Sequence, residues 1–367
     1  MRKVGQANII PISYEDREKW LGFRSNGIGG SEAAGILGLD DYSNPAKVFH
    51  QKIRVLQFPD IDNEAMWWGR FMEGHIASIY PYWWDGEYID NYKKGIKIRN
   101  CRKINGYAVN PDFPQLFGSL DRYIPKGSMG IDGEEIDGGV LEIKTISEFE
   151  SSKWTYGIPE KYVIQVHVYM MVFGFRYAEI VYLMGGNKLR VVPIPYNQEL
   201  ADTINYNTAK FWVDRVMPAK ELVKQYHHHL SQGEKEAAQS VLWEIDRYEP
   251  GASGNKSYRE LMNNKYDNYT FDYHPADEEA LQLAIKHKKV KEMIKHLGSE
   301  ALSLENQLVH IHDLNKAEYV RFGEEGGYSR FYTKKNGVNP TFDNRIKVEV
   351  VEADLKAITE KLLQDEG

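Results

Sequence analysis

Apolar positions change rhythm along the chain, and each rhythm predicts a different element. Residues 96–99, 117–124 and 139–146 are short apolar runs bounded by turn-formers, which is a strand pattern. The glycine- and acid-rich stretch 126–135 between the last two reads as a hairpin loop. Residues 178–184 and 189–194 flank Gly185, Gly186 and Asn187, a second hairpin. Helical spacing covers residues 32–37, with Ser31 as N-cap, and residues 66–80. Pro159 opens an apolar helix to about residue 172, and a long helix from Asn197 carries Phe211, Trp212 and Val216. The order of helices, three strands, helix and two strands predicts an α/β fold with one central mixed sheet flanked by helices.

Past Pro218 the texture becomes charged and amphipathic. Residues 221–245 and 277–308 read as helices separated by a polar loop at 250–257. Strands are predicted at 318–322 and 328–334, and a last helix at about 352–363. A chain of 367 residues is long enough for two domains. The boundary is placed near residue 220, giving a first domain over 1–220 and a C-terminal helical and small β extension over 221–367. No internal repeat is visible. The most apolar stretch, residues 162–184, is interrupted by Gln165, His167, Arg176 and Glu179, so no membrane span is expected. The N-terminus lacks the apolar run of a signal peptide, and a soluble, cytoplasmic protein is expected.

Charge narrows the chemistry. The 46 basic and 53 acidic residues leave a net charge of −7, which argues against a protein that coats nucleic acid by bulk charge. It leaves room for one that recruits divalent cations through its own carboxylates. The single cysteine, Cys101, excludes an intramolecular disulfide and a four-cysteine metal site within one chain.

The chemistry concentrates at Asp121 and at Leu141-Glu142-Ile143-Lys144. Glu142 and Lys144 alternate along a predicted strand and share a face, and pairing with the neighbouring strand brings Asp121 beside Glu142. Two adjacent carboxylates repel unless a cation lies between them, and oxygen ligands suit Mg²⁺ or Mn²⁺. An acid-x-Lys triplet also arises by chance, as at Asp354 and Lys356, and a solvated edge strand with a cross-strand ion pair is the plain alternative. The apolar flanks Val140, Leu141, Ile143 and Ile146 favour a buried strand, where charges need a partner or a metal.

Asp121, Glu142-x-Lys144 and a following helix with Gln165 resemble the PD-(D/E)XK nuclease core. More narrowly, the chain is similar to the YqaJ-type viral recombinase family, which includes the lambda exonuclease. Arg24 before Gly27, Gly29, Gly30 and Ser31 resembles that family's N-terminal motif. Gly69 with Glu73 resembles its second motif, and Gln165 with Tyr169 resembles its glutamine helix. His167 stands where the family usually has a second glutamine, so no role is transferred to it. The motifs run in family order over about residues 20–215.

The resemblance implies a Mg²⁺-dependent exonuclease, with Mn²⁺ able to substitute. It would digest linear double-stranded DNA from the 5′ end and leave 3′ overhangs for recombination by single-strand annealing. Asp121, Glu142, the Ile143 carbonyl and Glu73 are the expected metal ligands. Lys144 and Gln165 are the expected catalytic partners, and Asp112 is a weaker candidate for a second metal. Arg24 and Ser31 are expected to hold the 5′-phosphate at a helix N-terminus, against the plain reading of an ordinary capped helix. A homo-oligomeric ring of three or four chains, a single-strand annealing partner and a phage origin within a bacterial cell are implied as well. The rival readings are a structure-specific endonuclease of the same core and a DNA-end-binding protein with a degenerate site. His227, His228 and His229 read as a solvated helix face, while Trp67, Trp68, Trp83 and Trp84 read as core residues before base-stacking ones. The lysines at 286, 288, 289, 291 and 295 read equally as a phosphate-facing stripe and as solvated charge.

Overall fold

The computed structural model describes residues 2–13, 16–56, 58, 62–154, 157–265 and 277–315, with strands at 319–321, 327–333 and 340–346. Contacts divide the chain into two compact units, Met1–Tyr269 and Thr270–Gly367.

The first unit opens on a hairpin of β1 (Arg2–Val4) and β2 (Ala7–Ile10). Helices α1 (Arg17–Arg24), α2 (Gly30–Ile36), α3 (Pro45–Ile53), α4 (Glu64–Ile79) and α5 (Tyr88–Lys94) follow. Asn44 and Asn63 cap α3 and α4 by accepting the Lys47 and Met66 amides. Strands β3 (Tyr107–Val109) and β4 (Phe117–Gly118) complete a first antiparallel sheet in the order β1-β2-β3-β4. Next come β5 (Arg122–Ile124), the two-stranded β6 (Ser128–Met129) and β7 (Glu135–Ile136), and β8 (Gly139–Ile146). Helix α6 (Glu160–Phe173) crosses over to β9 (Tyr177–Met184), which turns back into β10 (Lys188–Pro195).

The second sheet has the order β10-β9-β8-β5 and is mixed: β8 and β9 run parallel across the α6 crossover, and the other pairs are antiparallel. The expected central mixed sheet with flanking helices is therefore present, but a second four-stranded sheet stands beside it. Ten consecutive residues of α6, Ile164 to Phe173, are buried, so this helix is enclosed on all sides. Helices α7 (Gln198–Phe211) and α8 (Met217–Ser231) join through a π-helical turn at Trp212–Val216, which admits Pro218 without ending the helix. Gly233, at φ +78°, breaks the expected 221–245 helix into α8 and α9 (Lys235–Asp246); α10 (Lys256–Lys265) closes the described part of this unit.

Two sequence expectations fail here. Residues 96–99 are not a strand: the amides of Ile98 and Arg99 both donate to the Pro81 carbonyl. The Arg99 guanidinium turns inward and makes a bidentate, fully buried pair with Glu179, where Tyr80 and Tyr177 also donate to the carboxylate. Residues 117–124 are not one strand but two, β4 and β5, each in a different sheet. The N-terminal hairpin and helices α1, α3 and α5 carried too few periodic positions to be read. The texture change near residue 220 falls inside α8, and the first compact unit continues to Tyr269.

The second unit contains α11 (Glu278–Asn315) and an antiparallel sheet of β11 (Tyr319–Arg321), β12 (Gly327–Thr333) and β13 (Pro340–Ile346). The expected helix and strand pair are found, with a third strand added. The expected last helix, and with it Asp354 and Lys356, lie outside the described residues. Among the described residues no helix is long and apolar enough to cross a membrane.

Candidate active site

The site sits where the chain passes from one sheet to the other. β4 ends at Gly118 and β5 begins at Arg122, so residues 119–121 form the crossing. The β5–β8 ladder starts with Arg122 opposite Leu141, which leaves Asp121 one step beyond it, level with the next residues of β8. There Asp121 Oδ2 accepts the Ile143 amide at 2.8 Å.

Glu142 and Lys144 project from the same face of β8, as alternation requires. Glu142 is only 3% exposed. Its Oε1 accepts from Lys144 Nζ at 2.6 Å and from Gln165 Nε2 at 2.7 Å. Gln165 also accepts from Lys144 at 3.3 Å and donates to the Tyr169 hydroxyl at 3.1 Å. Lys144 Nζ lies 4.9 Å from the centre of the Tyr162 ring, a cation–π contact. Gln165, Lys144 and Glu142 thus form a closed triangle, and the two oxygens of Glu142 have different fates. Oε1 is held by two donors, while Oε2 is buried without a hydrogen-bond partner.

The electrostatics follow from that crowding. Burial pushes the Asp121 carboxyl well above the usual aspartate range, and Glu142 and Glu73 push it further; Lys144 and the Ile143 amide pull the other way. Burial also works against the Lys144 ammonium, but Glu142 and Asp121 outweigh it and hold its pKa above that of an ordinary lysine. A buried, open carboxylate oxygen beside a second carboxylate that resists ionisation is a fitting donor set for a hard divalent cation. Among the described residues no group of three or more His, Cys, Asp or Glu converges on a metal position. Two carboxylates are the core of the set, and Mg²⁺ characteristically keeps waters in its remaining positions.

The other predicted residues are placed as follows. Glu73 lies on α4, which packs against β8, and its Oε1 accepts from Arg122 at 2.6 Å. Ile143 contributes its amide to Asp121. Asp112 occupies an exposed turn and donates its amide to Asn110 Oδ1. His167 is buried; its Nε2 accepts the Asn197 amide at the start of α7, and its Nδ1 contacts the Val163 carbonyl at 2.8 Å. That is a structural role on the buried face of α6.

Arg24 and Ser31 line a cleft of about 700 Å³ together with Lys47, Lys52 and Arg54. Ser31 is not the cap of α2. Gly29 holds that position, and Glu32 Oε2 accepts the Gly29 amide at 2.7 Å. Glu32 also takes Arg24 Nη2 at 2.9 Å and the buried Lys52 Nζ at 2.6 Å, while Lys52 donates to the Arg24 carbonyl at 2.7 Å. Burial alone would raise the Glu32 carboxyl, but Lys52 and Arg24 bring it down to about 2. Burial lowers the Lys52 ammonium to about 8. Sequence reasoning missed Glu32 and Lys52. The spacing from Gly29 to Glu32 marks the capping carboxylate, but nothing in the sequence brings Lys52 to it. Gly30 ties this loop to α6: a Cβ there would stand 2.8 Å from the Gln165 carbonyl and 2.9 Å from its Cγ.

The tryptophans divide. Trp83 is buried as expected, whereas Trp67 and Trp68 are each 48% exposed on α4. Trp67 stacks on Phe71 at 5.2 Å, with ring planes 8° apart. His227 and His228 are exposed on α8, and His229 pairs with Glu234, so these histidines form the solvated face expected.

A mixed sheet with a parallel crossover, an aspartate at the strand crossing, Glu-x-Lys on the next strand and a glutamine on the crossover helix make up the arrangement that the resemblance to the PD-(D/E)XK core implies. Residues 19–176 match the family model of the YqaJ-like viral recombinase domain. The Uncharacterized protein YqaJ of Bacillus subtilis (strain 168) is 28% identical over 364 residues, covering 98% of this chain and 95% of that protein. Among solved structures, an alkaline exonuclease (LHK-Exo) from Laribacter hongkongensis is 18% identical, with a TM-score of 0.41 over 58% of this chain and 99% of that one. The same exonuclease in complex with dAMP gives 18% identity, a TM-score of 0.42 and the same coverage.

Proposed function

We propose that the protein is a Mg²⁺-dependent exonuclease that digests one strand of linear duplex DNA from its 5′ end, leaving 3′ overhangs for recombination by annealing. The observation that carries the hydrolytic reading is the division of labour within Glu142, with one oxygen restrained by Lys144 and Gln165 and the other buried and open beside Asp121. Asp121 and Glu142 would hold the cation, with the Ile143 carbonyl and Glu73 as further contributors. Bound there, Mg²⁺ or Mn²⁺ supplies polarisation of the scissile phosphate and a lowered pKa for a bound water. Lys144 carries a firmly retained positive charge at the edge of this pair, which offsets the charge that accumulates on the phosphate in the transition state. Gln165 keeps Lys144 and Glu142 in register, and Tyr169 keeps Gln165.

The cleft at Arg24 and Ser31 suits a terminal phosphate. Arg24, Lys47, Lys52 and Arg54 outnumber Glu32 and Asp40 in its lining, although the whole chain is acidic. The exposed stack of Trp67 and Phe71, on the helix that also carries Glu73, suits unpaired bases near the reacting strand. In this reading the nuclease domain spans 1–220 and residues 221–367 are an extension. The protein works in the cytoplasm of a bacterial host as a ring, alongside a single-strand annealing protein.

The deciding experiment uses the purified chain on linear duplexes labelled at either end, with and without Mg²⁺. Mononucleotide release from the 5′-labelled end, only with metal, is the expected result. Cleavage of closed circular duplex would assign an endonuclease instead, and binding to ends without cleavage would assign an end-binding protein.

A further inference from the structure

The 38-residue helix α11 spans ~57 Å at the usual rise per residue. Its apolar residues follow a repeat of seven. Ala280, His287, Ile294, Ala301 and Leu308 fall at one heptad position, and Leu283, Val290, Leu297, Leu304 and Ile311 fall three residues after each. Nine of these ten core positions are apolar. A seven-residue repeat sustained over five heptads is the signature of a left-handed coiled coil, whose seam must meet a second helix of the same period. The structure leaves the seam open. Leu283, Val290, Ile294, Leu297 and Leu304 are 45–63% exposed, although β11 and β12 touch the helix.

We propose that α11 pairs with α11 of a second copy of this chain as an antiparallel coiled coil. This inference is independent of the nuclease reading. Two properties of the sequence select the partner and its direction.

The first is size. With Ile294 set against Leu297 of the mate, the remaining layers pair Val290 with Ala301, His287 with Leu304, Leu283 with Leu308, and Ala280 with Ile311. Every layer then joins at least one bulky residue to its neighbour, and the helix overlaps its mate along the whole seam. A parallel pair would instead stack Ala280 on Ala280, His287 on His287 and Ala301 on Ala301. Those layers leave voids and a buried imidazole pair.

The second is charge. The positions flanking the seam carry Lys286 and Lys291 in the first half, and Glu300 and Glu305 in the second. In a parallel pair, residues of this kind face each other five apart, which sets Lys286 against Lys291 and Glu300 against Glu305, all repulsive. Reversing one helix lays the basic half over the acidic half. The lysine-rich stretch is thereby read as one side of a pairing code. Leu281, Ile285 and Leu302 lie off the seam.

Directed disulfides in the full-length chain test this, with Cys101→Ser removing the native thiol. A mixture of chains carrying Leu283→Cys and chains carrying Leu308→Cys should yield cross-linked dimers on oxidation, and either variant alone should not. Sedimentation of the full chain should show the mass halved by Ile294→Glu with Leu297→Glu, with the helical circular dichroism of the first unit retained. Cross-linking by Leu283→Cys alone overturns the antiparallel pairing. No cross-link in the mixture, or a mass unchanged by the double substitution, overturns the pairing of copies through this helix and assigns the seam to another segment or another protein.

Discussion

The Asp121 carboxylate accepts the Ile143 amide hydrogen at 2.8 Å, although Asp121 belongs to neither sheet. That bond pins the chain crossing to β8 and brings a second carboxylate beside Glu142. The juxtaposition is unfavourable without a cation, and several consequences are measurable.

Asp121 is held protonated more readily in the folded chain than in the unfolded one, because burial and Glu142 raise its pKa. With a raised folded pKa, an acid's contribution to stability falls as pH rises through its unfolded value of 3.8. At neutral pH and without metal the pair therefore costs stability. Asp121→Asn should raise the metal-free Tm by a few degrees, and Mg²⁺ should raise the Tm of the natural chain but not of the variant. Differential scanning calorimetry with and without Mg²⁺ decides it; equal Mg²⁺ stabilisation of both chains would take Asp121 out of the metal site.

Glu142→Gln replaces an open anionic oxygen with a neutral amide. Nuclease activity in Mg²⁺ should fall about 10³-fold or more, about 4 kcal/mol in barrier height, while DNA binding in Ca²⁺ persists. Glu150→Gln, at an exposed pair with Lys153, should be silent. Near-normal turnover by Glu142→Gln would remove Glu142 from the chemistry.

Arg24 is aimed by Glu32 at a cleft with excess positive charge. Duplexes ending in a 5′-phosphate should be digested faster than those ending in a 5′-hydroxyl, and Arg24→Ala should erase the difference while the metal site stays competent. Equal initial rates on both ends with the natural chain would reduce the loop to a helix start.

Glu32 has a folded pKa of about 2 against an ordinary 4.5, since Lys52 and Arg24 overcome the cost of its burial. A depressed acid contributes stability above its unfolded pKa and loses it as pH falls through the folded one. The difference is worth about 3 kcal/mol, released between pH 4.5 and about 2. Denaturant midpoints followed down this range should fall more steeply in the natural chain than in Glu32→Gln, which starts less stable because Lys52 has lost its counter-charge. Parallel acid limbs would contradict the buried pairing.

An acidic monomer has little general hold on duplex DNA, so long digestion requires topological retention. With competitor DNA added after initiation, single-turnover digestion should continue for many nucleotides, and sedimentation at micromolar concentration should give three or more chains. A trap that halts digestion at once would argue against a closed ring.

The sequence by itself determined the elements that are long and internally consistent. β8, the α6 crossover and the β9–β10 hairpin were legible because largely apolar runs of eight residues or more, bounded by clear turn signals, outweigh local ambiguity. Glu142, Lys144 and Gln165 were legible with them, as polar residues in stretches that have to be buried. Tertiary structure decided what no local pattern encodes. Strands of two or three residues, such as β4 and β5, are shorter than any period, so the crossing that carries Asp121 between sheets was read as one strand. The partner of a buried charge is likewise chosen across the fold: Lys52 meets Glu32, Arg99 meets Glu179 and Arg122 meets Glu73 over separations of 20 to 80 residues. Periodicity says which face of α4 is apolar, but only packing shows that Trp67 and Trp68 stay in solvent. Side-chain chemistry is local, whereas desolvation is set by whatever the rest of the chain lays on top.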